Sequence, residues 1–209
     1  MAKSLYSLML SDEVVARLDR MAVRERTNRS ALVNRILAEY CSMMTPEKRI
    51  ESVFAAVERA FGADGELAAF LTPNAPTMFL KTSLEYRYRP TVRYDLRLYP
   101  AAGENGAVGE LTVAFRTQSE ELLTRIDAFF RAWIAGERAA GSASPVYALA
   151  PGRLTRTIRL PEGEITPEAF AGRISDYVRI FDATMKAAVA GRADAQAVAG
   201  TARRAGEGF

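Results

Sequence analysis

The chain of 209 residues contains no histidine and a single cysteine. Without imidazole there is no Ser-His-Asp triad, no Cys-His pair and no histidine metal site, so three common routes to catalysis are closed. Cys41 alone cannot form an intrachain disulfide, which fits a reducing, cytoplasmic setting. It follows Tyr40 at the end of a helical pattern, where a packed thiol is expected; the alternative is a bridge to Cys41 of a second copy. No apolar run approaches membrane-spanning length, and acids follow the N-terminus within a few residues, so neither a membrane segment nor a signal peptide is expected. Net charge is small as well. The net value is +3, of which residues 1–45 carry +2 and the last twenty residues +1, leaving the middle neutral. That balance permits contact with nucleic acid without demanding it. No glycine-rich phosphate loop precedes a helix and no carboxylates pair at a recognisable spacing, so the reading is of a protein that is not an enzyme and needs no cofactor or metal.

What is present is concentrated in the first 45 residues. Ser4 to Leu10 is a short apolar segment with strand character, and no other strand-like segment appears before about residue 78. A strand needs a ladder partner for its backbone groups, so the simplest partner is the same segment of a second chain, antiparallel across a two-fold axis. Ser11 is an N-cap candidate, with Asp12 and Glu13 in the first turn where the helix dipole favours acids. Val14, Val15, Leu18, Met21 and Ala22 then recur at helical spacing; after a break at Thr27-Asn28-Arg29-Ser30, Leu32, Val33, Ile36, Leu37 and Tyr40 form a second stripe. Two half-apolar helices in some 45 residues cannot close a core unaided, and an obligate dimer is expected.

Strand, capped helix, Asn28-Arg29-Ser30 turn and second helix together resemble the ribbon-helix-helix DNA-binding family of the Arc, MetJ and CopG repressors, over residues 3–42. The resemblance implies an intermolecular two-stranded ribbon in the major groove of an operator. Strand alternation places Tyr6, Leu8 and Leu10 toward the helices and Leu5, Ser7 and Met9 toward the groove, with Lys3 at its edge. The backbone amides of Asn28, Arg29 and Ser30, opening the second helix, would hold a phosphate. The chain departs from the family in two places. Leu5 and Met9 are apolar where members carry polar or cationic readers, so they can touch thymine methyls but make no bidentate contact. Arg26 stands where members often have glycine; either it takes a left-handed conformation at roughly 1 kcal/mol relative to glycine, or the turn shifts and Asn28 takes it.

The remainder reads as one α+β domain. Thr45-Pro46-Glu47 starts a helix with Ile50, Val53, Phe54, Val57 and Phe61 on one face, ended by Gly62, and residues 62–76 read mostly as loop with an apolar turn at Leu67 to Leu71. Strands are expected at Met78–Arg89, around Val92–Leu98 and, after Asn105-Gly106, around Leu111–Phe115. A helix from Ser119 to Ala135, a flexible connection over Gly136–Ser144, a hairpin of Val146–Leu149 with Leu154–Leu160, and a helix from Thr166 follow. The order α-β-β-β-α-β-β-α resembles the type III secretion chaperone-like fold, which implies a curved antiparallel sheet with helices packed on one face. Arg87, Arg89, Arg93, Arg97, Arg116, Arg153 and Arg159 fall opposite the apolar positions, with Glu85, Asp95 and Glu110 between them. They form either a solvated face with cross-strand ion pairs or an anion-binding or second nucleic-acid surface. Arg156 lies on the apolar alternation itself, as a buried ion-pair partner or a ligand contact.

The sequence thus predicts a ribbon-helix-helix module over 1–44, an α+β dimerisation or signal-receiving domain over 45–190 and a flexible tail over 191–209. The function expected is that of a cytoplasmic transcriptional regulator of the repressor type, working as a homodimer or higher even oligomer on a double-stranded DNA operator. A protein or small-molecule partner would act on the larger domain. The alternatives are an antitoxin that represses its own operon while holding a toxin, and an adaptor whose N-terminal module only dimerises.

Overall fold

The computed structural model describes residues 7–41, 44–62, 67–71, 76–103, 106–140, 145–160 and 165–207. The chain divides into two compact units, Met1–Arg49 and Ile50–Phe209, a boundary a few residues beyond the one expected from the sequence. The architecture is α+β. Among the described residues the order is α1 (Asp12–Arg24), α2 (Arg29–Tyr40), α3 (Pro46–Gly62), β1 (Ala68–Leu71), β2 (Thr77–Ser83), β3 (Thr91–Leu98), β4 (Ala107–Arg116), α4 (Glu120–Arg138), β5 (Tyr147–Ala150), β6 (Arg153–Arg159), α5 (Pro167–Val189) and α6 (Ala195–Glu207).

In the second unit the six strands form one antiparallel sheet in the order β1-β2-β3-β4-β6-β5. Period-2 alternation sends one set of side chains into the core: Met78, Leu80, Val92, Tyr94, Leu96, Leu111, Val113, Leu154 and Ile158 are all buried. They share one cluster with the apolar stripes of α3, α4, α5 and α6, including Phe54, Phe61, Phe130, Trp133, Phe181 and Met185. Capping chemistry starts the helices where the sequence places it. The hydroxyls of Thr45, Ser119 and Thr166 accept from the amides of Lys48, Leu122 and Ala169.

Several expectations are corrected. The 191–209 tail is not a flexible coil where it is described: Ala195–Glu207 is helical, with Val198, Ala202 and Ala205 buried. Those positions recur at i, i+4 and i+7, so the stripe exists, but it is built from small side chains. Small residues allow close approach. A Cβ placed on Gly136 of α4 would lie 2.2 Å from the Ala199 carbonyl oxygen of α6, so glycine is required at this crossing. Gly136 therefore lies inside a helix that runs to Arg138, not in a flexible connection. An extra edge strand, Ala68–Leu71, pairs with β2 where a loop was expected. β2 ends at Ser83, and the chain turns through Tyr88 and Arg89 at φ 64° and 41°. With β1 and α6 added, the observed order is α-β-β-β-β-α-β-β-α-α, and the chaperone-like order is not reproduced.

Two polar groups of contacts lie inside the second unit. Glu137, next to the tight crossing, is 4% exposed and faces Arg156, which is 3% exposed. The Arg156 Nε donates to both Glu137 carboxylate oxygens at 3.1 and 3.3 Å. The Tyr147 and Tyr177 hydroxyls donate to Glu137 Oε2 at 2.5 and 3.2 Å, and the Trp133 indole N–H donates to the Tyr177 oxygen at 2.9 Å. Arg156 is thus a buried ion-pair partner. Burial first, and then the adjacent Glu137 carboxylate, push the Tyr147 phenol well above its usual range, which keeps it a neutral donor. The Tyr94 hydroxyl donates to Asp182 at 2.7 Å, and Asp182 also pairs with Lys186 at 2.8 Å. Burial raises the Tyr94 phenol far above its ordinary value.

Candidate nucleic-acid interface

The site expected from the sequence lies in the first unit. Residues 7–11 lead directly into α1, with Ser11 extended at the N-cap position, but its hydroxyl makes no capping bond. The first turn relies on Asp12 and Glu13 instead, whose carboxylates oppose the positive end of the helix. Three backbone bonds close α1: Glu25 to Met21, Arg26 to Val23 and Thr27 to Ala22. The last two are the paired bonds of a Schellman turn, and they require a left-handed residue at Arg26. Arg26 adopts it, with φ 52°, while Asn28 is extended at φ −95°. The turn does not shift.

Asn28 then caps α2, its side-chain oxygen accepting from the Ala31 amide at 2.8 Å. Leu32 N–H bonds the Asn28 carbonyl, so the Arg29 and Ser30 amides, one turn earlier, point outward without a helical acceptor. Arg29 is bound as well as placed. Its Nε and Nη2 grip both oxygens of Asp19 on α1 at 2.7 and 2.6 Å. The Arg29 hydrogen bond, followed by its charge, holds the Asp19 carboxyl below its ordinary value. Arg35 and Glu25 form a second ion pair between α2 and the turn. These contacts fix the angle at which α2 presents its N-terminus.

Of the expected base-facing residues, Lys3 and Leu5 lie outside the described residues. Ser7 and Met9 are both exposed, in a segment that makes no strand ladder among the described residues. Tyr6, expected to face the helices, is also outside the described residues. Leu8 and Leu10, expected to do the same, are 63% and 43% exposed. The core of this unit consists of Leu18, Ala22 and Leu32, with Met21 and Val33 partly buried against it. Val14, Ile36, Leu37 and Tyr40 from the two predicted stripes remain exposed. Cys41, expected as a packed thiol, is exposed at the end of α2, and Leu37 and Tyr40 beside it are exposed as well.

The second unit offers surfaces that the sequence brought into view only in part. Arg97 of β3 and Glu110 of β4 form a cross-strand ion pair at 3.4 Å, and Arg93 pairs with Asp95 at 2.7 Å. Arg87 and Arg89, expected on the sheet face, lie instead in the turn after β2. Tyr86, Arg87 and Tyr88 line a cleft of about 820 Å³ with Phe115 and Arg116. Among the described residues no group of three or more Cys, Asp and Glu side chains is arranged to hold a metal ion. No helix among them is long and apolar enough to cross a membrane. Compared with known proteins, the chain matches no family model, no curated protein and no solved structure.

Proposed function

We propose that the chain is a dimeric, sequence-specific DNA-binding regulator of transcription, acting in the cytoplasm as a repressor. The observation that carries this reading is the apolar segment before α1, which makes no ladder among the described residues, beside helices on which Val14, Ile36, Leu37 and Tyr40 remain exposed. A second copy would supply both missing partners. The segment would pair with its mate as a two-stranded ribbon, and Leu8, Leu10, Val14, Ile36 and Leu37 would become the dimer core. A ribbon of that width fits the major groove, with Ser7 and Met9 on its outer face.

The Arg29 and Ser30 amides would take a phosphate at the start of α2, on each side of the ribbon. Because the Arg29 guanidinium is held by Asp19, its part is to fix the α1–α2 angle, and the amides make the contact. The larger unit would strengthen the dimer or receive a signal.

The test is fluorescence anisotropy of the full chain with a labelled duplex from the DNA upstream of its own gene. Specific binding should fall linearly in log–log form with salt, with a slope of about −0.9 per phosphate neutralised. Arg29→Ala should weaken binding on every sequence, whereas Ser7→Ala should change base preference. If no duplex binds at low salt, the regulator reading is wrong, and the N-terminal module is a dimerisation device for an adaptor.

A further inference from the structure

The sheet of the second unit has two unlike faces. One is the core face; the other carries Lys81, Arg93, Arg97, Arg116, Arg153 and Arg159 against Asp95 and Glu110. Among the described residues six cations against two carboxylates leave a surplus of four on this face, while the whole chain nets only +3. The remainder of the protein is therefore slightly acidic. Positive charge is collected on this face.

Its arrangement is transverse. Lys81 of β2 is directly opposite Arg93 of β3, Arg93 is opposite Ala114 of β4, and Ala114 is opposite Arg153 of β6. Lys81, Arg93 and Arg153 thus form one row running across the strands. Like charges directly opposite one another destabilise a sheet, so Lys81 beside Arg93 calls for a compensating partner. Part of it is internal: Arg93 lies 4.3 Å and Lys81 5.2 Å from the Phe79 ring centre, and Asp95 takes Arg93. The adjoining row holds the rings. Phe70 of the edge strand stacks on Phe79 at 5.1 Å with 17° between the planes, and Phe70 is 44% exposed.

We propose that this outer face binds single-stranded nucleic acid, its backbone crossing the strands along Lys81, Arg93 and Arg153 while a base stacks at the Phe70–Phe79 pair. Charge complementarity selects a polyanion, and the rings select the single strand. In a duplex the bases are already stacked and cannot reach a ring on a flat surface, whereas an unpaired base has both faces free. The row of three cations spans β2 to β6, roughly 15 Å at the usual strand spacing, which suits an extended chain of phosphates. This surface is built from the second unit alone, and the inference does not depend on duplex binding by the first.

The experiment is anisotropy of the full chain with labelled oligo-dT and oligo-U of 12 nucleotides, alongside heparin as a polyanion without bases. The wild type should bind the oligonucleotides and lose roughly thirty- to sixtyfold affinity from 50 to 200 mM salt, as expected for about four phosphates on a single strand. Lys81→Glu with Arg153→Glu should reduce binding at least tenfold. Phe70→Ala, at an exposed edge position, should reduce it roughly five- to a hundredfold. Phe70→Ala should leave any duplex binding unchanged, and Arg29→Ala should leave oligonucleotide binding unchanged, so the two sites succeed or fail separately. Absence of oligonucleotide binding at low salt overturns the proposal. So does heparin binding alone, or oligonucleotide binding that Phe70→Ala does not weaken, since both describe a basic face without a stacking site.

Discussion

Replacing Glu137 by Gln keeps the side chain's shape and removes its charge, and the surroundings determine the consequence. Arg156, 3% exposed, would keep its charge but lose the Glu137 carboxylate that its Nε holds. Breaking a buried ion pair from one side costs about 3–5 kcal/mol, because the remaining charge stays out of water. A domain of this size has a total stability of about 5–15 kcal/mol, so roughly a fifth or more of it would be lost. At about 2–4 °C per kcal/mol for 150–250 residues, the midpoint of thermal unfolding should fall by roughly 6–20 °C. The exposed pair Arg97–Glu110 provides the comparison, with Arg97→Ala expected within about 1 kcal/mol of wild type. The double variant Glu137→Leu, Arg156→Met should recover most of the single-variant loss, because removing both charges removes the desolvation penalty with the attraction. Urea unfolding followed by circular dichroism reads all four proteins. A Glu137→Gln loss below about 1 kcal/mol would refute the argument, as would a double variant no more stable than Glu137→Gln.

Three further outcomes follow from single contacts. Gly136→Ala gains about 0.5–1 kcal/mol of helix propensity, yet its methyl would meet backbone of α6 at 2.2 Å. A net destabilisation of about 1–3 kcal/mol is expected, with faster amide exchange in Ala195–Glu207; unchanged exchange there would count against the tight crossing. Arg26→Gly relieves a left-handed residue at the end of α1 and should stabilise the first unit by about 1 kcal/mol in urea unfolding; a loss would mean that the Arg26 side chain contributes more than its backbone strain. The Asp19 carboxyl is held down by Arg29, so the α1–α2 contact is fully present above the unfolded value of about 3.9 and is lost as pH falls through the lower folded value. NMR titration should find Asp19 below that value, and Arg29→Ala should return it to normal; an Asp19 that titrates normally in the wild type would remove the ion pair from the account.

Much of this fold was legible because its long elements repeat a clear period. Val92 to Leu98 alternates strictly and is β3, and the Thr45, Ser119 and Thr166 caps mark three helix starts by side-chain chemistry alone. What escaped was carried by small residues or by backbone. The α6 stripe of Val198, Ala202 and Ala205 has too little apolar bulk to stand out, and Gly136 reads as a break when it is a point of close packing. Alternation through Leu84, Tyr86 and Tyr88 continues past the end of β2, since nothing in those side chains announces the left-handed turn. Arg156 was visible as a cation among apolar positions, but its partner Glu137 stood in what read as a connection. In the first unit the sequence marked the turn but left open whether Arg26 or Asn28 is left-handed, and the structure puts that conformation at Arg26. The proposed ribbon would take its hydrogen bonds from a second copy, so a single chain cannot display it.

The central claim, that two copies join through residues 4–10 to hold DNA, is met most directly by cross-linking at the middle of that segment. Ser7 is the midpoint, so in an antiparallel pair centred on it the two Ser7 residues stand opposite each other at about 4.5–5.5 Å between Cα atoms, within disulfide reach. The full chain carrying Ser7→Cys and Cys41→Ser should oxidise to a covalent dimer at low protein concentration, and that dimer should bind the duplex without losing affinity on dilution. A chain that stays monomeric under oxidation with cysteine at residues 7, 8 and 9 in turn, or a covalent dimer that leaves every duplex unbound, would contradict the account.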